Sequence, residues 1–172
     1  MKRRLLFFCL VLGACGSPCL AQVNAGAPAA ARNAVFFELL GNGGLFSFNF
    51  ERMLTDRVAV RAGYARWNLE GILFDSGQYQ SVPMTASYLF GGGERKLELG
   101  GGVTIGKGQF SDQSDNFSFS SLTAILGYRS QPEAGGYLFR AGLTPFYTLN
   151  DGDTYPGQGF TLSVGVSFGY RF

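Results

Sequence analysis

The sequence predicts an all-β chain, an eight-stranded antiparallel up-and-down transmembrane β-barrel. Three observations lead there. From residue 34 onward, stretches in which apolar residues alternate with small or polar ones are separated by turn signals. The composition, with 26 Gly, 17 Phe, 8 Tyr and no His, suits pleated surfaces and tight turns. The connections between the alternating stretches are short and long in turn, the asymmetry of a membrane barrel with short turns at one end and longer loops at the other.

The N-terminus, MKRRLLFFCLVLGACGSPCLAQ, has the three zones of a secretory signal: a basic start, an apolar run from Leu5 to Ala14, and small residues before a cut between Ala21 and Gln22. The run is shorter than the roughly 20 apolar residues that a helix needs to span a bilayer. Leu12-Gly13-Ala14-Cys15 resembles a lipobox and offers a second processing route, which would leave a lipidated Cys15. The expected division is a signal peptide over 1–21, a flexible Ala-rich segment over 22–33 and the barrel over 34–172. Cys9, Cys15 and Cys19 all lie in the leader, so disulfide, zinc-thiolate and cysteine-nucleophile chemistry are not expected of the mature chain. Of the 14 basic residues, set against 12 acidic ones, Lys2, Arg3 and Arg4 also belong to the leader. What remains is near neutrality, with no basic stripe to suggest nucleic acid.

The strands are predicted over 34–40, 45–53, 57–67, 81–90, 95–104, 119–129, 136–147 and 160–172. The second sets Phe46, Phe48 and Phe50 against Ser47, Asn49 and Glu51. The third sets Val58, Val60, Ala62 and Tyr64 against Ala59, Arg61, Gly63 and Ala65. In the fifth, Leu97, Leu99 and Val103 oppose Glu98, Gly100, Gly102 and Thr104. In the seventh, Phe139, Ala141 and Leu143 oppose Arg140, Gly142 and Thr144. The eighth alternates throughout, from Phe160 to Phe172. The first, fourth and sixth carry Phe36, Leu89 and Ile125 on the polar side.

The polar phase is assigned to the interior. It is dominated by Gly, Ser, Ala and Thr, which suit a narrow lumen better than a solvated surface. Its charges, Glu38, Glu51, Arg61, Glu98 and Arg140, are of both signs, as a paired interior cluster requires; Glu51 and Glu98 are expected to partner Arg61 and Arg140. Lipid offers the backbone no hydrogen-bond partners, so strands at membrane depth must close. With the N-terminus periplasmic, Tyr88, Phe90, Tyr128, Tyr137 and Tyr170 fall at one rim and Tyr64, Trp67 and Tyr147 at the other, as two aromatic girdles.

The final strand, with Phe168, Tyr170 and terminal Phe172, looks like the C-terminal β-signal that the outer-membrane assembly machinery recognises. The segments FFELLGNGGLFSFNFERML, LELGGGVT and LGYRSQPEAGGYLFRAGLTPFY are similar to those of small outer-membrane β-barrel proteins of Bacteroidota. In size the chain also resembles the eight-stranded barrels of the outer membrane protein A and X families, without the peptidoglycan-binding domain of the former. The resemblance covers nearly the whole mature chain. It implies a bacterial outer-membrane location, contact with outer-membrane lipid and lipopolysaccharide, and delivery by the assembly machinery. It implies no activity.

Motifs for chemistry are sparse. Gly101 to Gly108 nearly matches a P-loop, but Gly108 stands where a Mg²⁺-binding hydroxyl is needed and no helix follows; a glycine-lined strand is the expected reading. Lipid A deacylase and palmitoyltransferase barrels, of similar size, use a histidine with a serine, and this chain has no histidine. Glu70, Asp75, Asp112, Asp115, Asp151 and Asp153 place acid in the longer loops against Lys107. Asn150-Asp151-Gly152-Asp153 could offer oxygen ligands to Ca²⁺ but lacks EF-hand spacing, and no metal or cofactor is expected. The Asn116-Phe117-Ser118 sequon is incidental in a bacterial context. The expected protein is a monomeric outer-membrane barrel with a structural or adhesive role and no catalytic site. A small passive channel, a lipid-modifying enzyme and a soluble ligand-binding barrel are the alternatives.

Overall fold

A computed structural model describes residues 30–69, 77–110, 116–149 and 159–172. They form eight strands: β1 (Asn33–Leu39), β2 (Phe46–Met53), β3 (Val58–Leu69), β4 (Gly77–Phe90), β5 (Arg95–Phe110), β6 (Asn116–Ser130), β7 (Gly136–Thr148) and β8 (Gly159–Arg171). Each pairs antiparallel with the next, and β1 pairs with β8 from Ala34–Arg171 to Leu39–Val166, closing the sheet. Closure removes every sheet edge along the paired segments.

The register sets the barrel's dimensions. Following paired residues from Phe160 leads through Tyr147, Leu122, Val103, Met84, Ala62, Phe50 and Val35 and back to β8 at Tyr170, ten residues from the start. Eight strands with this stagger tilt by about 40° and enclose a cylinder of ~8 Å radius. The outward run from Phe160 to Tyr170 then rises about 25 Å, the height of the apolar band of a transmembrane barrel.

Burial is inverted relative to a soluble barrel. Phe48 is 66% exposed, Leu126 57% and Leu162 58%, whereas Glu51 and Glu98 are each 2% exposed and Arg129 is fully buried. Phe36, Leu89 and Ile125, the apolar residues on the polar phase, point inward and are buried. Phe36 lies between two guanidiniums, with the Arg140 carbon 5.0 Å and the Arg61 carbon 5.7 Å from its ring centroid, so an aromatic face serves the charged interior.

Strands four to six are longer than their alternation predicts. Beyond Val82, Ile105 and Ser120 the outward positions turn polar, with Gln80, Gln78, Lys107, Gln109 and Ser118. A strand polar on its outward phase loses the contrast that identifies it in sequence, yet the ladders continue to Gly77–Phe110 and Gln109–Asn116. The near P-loop over 101–108 is therefore extended strand within β5. At the start of the barrel, Ala31 N–H donates to the Glu133 carbonyl at 3.1 Å, and Met53 N–H to the Arg32 carbonyl at 2.7 Å.

The wall is lower at the β1–β2 hairpin. The β1–β8 ladder stops at Leu39–Val166, whereas β7 and β8 stay paired up to Thr148–Gly159. At Leu40 the backbone takes a φ of 54°, unusual for a non-glycine residue, and the connection turns into the lumen.

Gly102 faces inward where β5 crosses β4. A Cβ there would collide with the backbone of Met84 and lie 2.7 Å from the Thr85 Cα. Backbone in a closed ladder cannot yield as a side-chain tip does. Gly102→Val is expected to cost about 3 kcal/mol, the upper end for overpacking, read as a lower denaturant midpoint for unfolding in detergent micelles.

Candidate functional site: a filled lumen and an outward polar ledge

Among the described residues, three carboxylates and three guanidiniums form ion pairs in the lumen, and the buried Lys96 and Arg171 share the inward phase toward the end where β1 begins and β8 ends. Arg61 Nη1 donates to Glu38 Oε1 at 3.1 Å, and its Nε donates to Thr85 Oγ1 at 3.1 Å. Arg129 grips Glu51 with both terminal nitrogens, Nη1 donating to Oε2 at 3.0 Å and Nη2 to Oε1. Arg140 holds both oxygens of Glu98 side-on, Nε donating to Oε2 at 2.9 Å and Nη2 to Oε1 at 2.5 Å. Longer contacts of 3.8 Å (Arg129 to Glu98) and 3.9 Å (Arg140 to Glu51) join the two pairs. Bidentate, charge-assisted contacts are the strong kind, and within the ion-paired set the two signs are equal in number.

The five interior charges expected from the sequence are therefore all in the lumen, and Glu98 pairs with Arg140 as expected, but Glu51 does not pair with Arg61. Glu51 stands directly opposite Arg61 in the β2–β3 register, yet its partner is Arg129 from β6. Long side chains on a narrow cylinder reach across the lumen as readily as to the adjacent strand, so Arg61 is free to engage Glu38 of β1. Arg129 is an addition to the expected charges. Counting inward positions along β6 from Ser121 through Thr123, Ile125 and Gly127 arrives at it, a signal present in the alternation.

Above the cluster, the β1–β2 connection is anchored inside the barrel. The Asn42 backbone carbonyl accepts from Thr104 Oγ1 at 3.1 Å, and its side-chain oxygen accepts from Thr123 Oγ1 at 2.7 Å. The Gly43 carbonyl accepts from Ser81 at 2.9 Å and the Leu40 carbonyl from Ser163 at 2.6 Å. The hairpin thus fastens to β4, β5, β6 and β8. Next to it Trp67 stacks on Tyr79 with ring centroids 4.3 Å apart, and Tyr79 stacks on Phe119 at 5.5 Å. At the end bearing the termini, Met53, Ala59 and Leu89 form an apolar cluster beneath the charges.

Trp67 corrects the girdle assignment. Ala59, Arg61, Gly63, Ala65 and Trp67 share one phase of β3, which points inward, so its indole packs in the mouth of the lumen. The other girdle residues lie outward: Tyr64 and Tyr147 toward the loop end, and Tyr88, Phe90, Tyr128, Tyr137 and Tyr170 toward the end bearing the termini. Phe168, Tyr170 and Phe172 are exposed; Phe168 packs on Phe139 and Tyr170 edge-on to Tyr137. The acidic loop residues Glu70, Asp75, Asp112, Asp115, Asp151 and Asp153 lie outside the described residues.

On the outer wall, the apolar surface ends in one step. In the β3–β4–β5 register, Arg66 pairs with Gln80 and Gln80 with Lys107; two residues closer to the barrel's middle stand Tyr64, Val82 and Ile105. Gln80 Nε2 donates to the Tyr64 hydroxyl at 2.6 Å. Arg66, Gln78, Gln80, Lys107, Gln109 and Ser118, together with Tyr79, Gly108 and Phe117 of the inward phase, line a half-open depression of about 450 Å³ at this end of the wall.

A closed eight-stranded barrel with an apolar exterior and a filled polar lumen is a transmembrane barrel of the outer-membrane type. No family model matches the chain, and no curated protein matches it. Among solved structures, the fold is similar to the N-terminal β-barrel domain of Pseudomonas aeruginosa OprF, with a TM-score of 0.59 and 18% identity over 84% of this chain and 98% of that one. It is also similar to Neisserial surface protein A (TM-score 0.50, 15% identity, 82% and 92% covered). Ail, the attachment invasion locus protein of Yersinia pestis, in complex with the heparin analogue sucrose octasulfate, gives a TM-score of 0.50 at 20% identity, with 83% and 97% covered.

Proposed function

We propose that the protein is an integral barrel of the bacterial outer membrane with a structural or surface-interaction role and no catalytic site. The short turns, with the start of β1 and the end of β8, face the periplasm, and the opposite end of the barrel faces outward. The observation that carries this reading is the inverted burial: large apolar side chains cover the outside and the charges are paired within. In water such an exterior would be an apolar patch far beyond what a soluble monomer exposes. Outer-membrane lipid and lipopolysaccharide are then its surroundings, and Phe168, Tyr170 and Phe172 the residues offered to the assembly machinery. A closed barrel without a free edge along its paired segments suits a monomer, and the resemblance to barrels of Bacteroidota agrees with this setting.

The filled lumen argues against a channel. A cylinder of eight strands leaves room for side chains and little more, and here a cluster of buried ion pairs, an anchored hairpin and an aromatic stack succeed one another along it. Two experiments test the reading. The expressed protein should fractionate with outer membranes and migrate differently on gels before and after boiling; recovery in the soluble periplasmic fraction with no such shift would contradict it. Planar-bilayer recordings should show no steady conductance, and reproducible stepwise openings would overturn the closed lumen.

A further inference from the structure

The outward ledge on β3, β4 and β5 carries an inference that rests on the membrane reading and deepens it. Arg66, Gln80 and Lys107 are consecutive in one cross-strand row, so the two cations stand two strand spacings apart, about 10 Å, with an amide between them. Their long side chains can converge from both sides on one anionic group. Both cations are exposed, and neither is ion-paired among the described residues. The row beyond, Asn68, Gln78 and Gln109, is uncharged and rich in hydrogen-bond donors. No carboxylate occurs among these six residues.

Position selects the ligand. The ledge lies one step past Tyr64, Val82 and Ile105, where the apolar band gives way to polar surface, and Tyr64 marks the level at which amphipathic rings prefer to sit. Headgroups occupy that level. A soluble anion has no reason to meet cations at the edge of a lipid-facing wall, whereas a phosphate-bearing lipid presents its charge there with its acyl chains lying along the apolar surface below. Arginine and lysine are the residues that engage phosphate, the former through a planar fork and the latter as a point charge. The depression, about 450 Å³, has the capacity of a small-ligand site.

We propose that Arg66, Gln80 and Lys107 form a binding site for the phosphate-bearing headgroup of a lipid in the leaflet at the loop end of the barrel. The test uses the full-length processed protein in detergent micelles, with lipid A, its enzymatically dephosphorylated form and inorganic phosphate as probes. Retention of the lipid is read by native mass spectrometry and titration. Wild type should retain lipid A well above the dephosphorylated lipid. Arg66→Gln with Lys107→Gln should weaken lipid A retention roughly thirtyfold, at about 1 kcal/mol per cation near the surface, and leave the dephosphorylated lipid unaffected. Equal retention by variant and wild type, or equal retention of both lipids by wild type, would overturn the site. Displacement of lipid A by equimolar inorganic phosphate would also overturn it, by assigning the specificity to the free anion. Flotation with phosphatidylcholine liposomes separates the two readings. Both proteins should float; failure of both would overturn membrane insertion itself, whereas flotation without phosphate selectivity would overturn the ledge alone.

Discussion

Replacing Arg129 by alanine is expected to lower the unfolding free energy by about 3 kcal/mol. Removing one member of a buried ion pair leaves an uncompensated charge and costs roughly 3–5 kcal/mol. Arg129 is fully buried, holds both oxygens of Glu51 and stands 3.8 Å from Glu98, so its loss leaves three carboxylates facing two guanidiniums. One effect opposes this. Lys96 and Arg140 flank Arg129 directly in the β5–β6–β7 register, and like charges directly opposite destabilise by something under about 1 kcal/mol. Relief of that repulsion brings the expectation to the lower end of the range. Denaturant unfolding in micelles measures the loss. Arg129→Ala should be more costly alone than combined with Glu51→Leu, because the second change removes the orphaned carboxylate. An unchanged midpoint for Arg129→Ala, or strict additivity in the pair, would show that the cross-lumen contact contributes little.

The second large effect is expected on the opposite face. Leu143 lies midway along β7, exposed, between Leu126 on β6 and Val164 on β8. By the stagger of the barrel it sits near the middle of the apolar band. Leu143→Arg should cost about 2–4 kcal/mol in a bilayer, the range for a cation on the lipid face at mid-depth. The same substitution at an exposed site of a soluble barrel would change stability by no more than about 0.5 kcal/mol. Folding titrations in phosphatidylcholine vesicles distinguish the two outcomes, and a Leu143→Arg variant as stable as wild type would contradict lipid contact at this position.

The alternation of β8 makes the architecture legible, since thirteen residues with large apolar side chains on one phase and mostly Gly, Ser and Thr on the other favour an inside-out barrel over a soluble one. Glu38, Glu51, Arg61, Glu98 and Arg140 are legible as interior for the same reason. Their partners are not. Pairing across a lumen depends on which strands oppose one another and by how much the sheet is staggered, and neither is local in sequence. Arg129 is obscured because Ile125 on its phase blurs the polar pattern of β6. The residue type of Trp67 points to the girdle, although its place in the alternation with Arg61 and Ala65 puts it inside. The inward course of Leu40–Leu45 cannot be foreseen from Gly41, Gly43 and Gly44, which mark a turn but not its direction. That direction is set by Thr104, Thr123 and Ser81, from strands far along the chain. The polar upper ends of β4, β5 and β6 read as loop because polar outward residues look alike on a strand above the membrane and on a coil.

Lipid meets one phase of each strand and the lumen meets the other. No cysteine follows Cys19, so single-cysteine variants along β8 can carry a nitroxide one position at a time. In reconstituted bilayers, labels at Leu162, Val164, Val166 and Phe168 should collide freely with dissolved oxygen, which concentrates in lipid. Labels at Ser163, Gly165 and Ser167 should be shielded from it, giving an accessibility profile with a period of two. A flat profile, or one with its maxima on the Ser and Gly positions, would contradict the inside-out barrel.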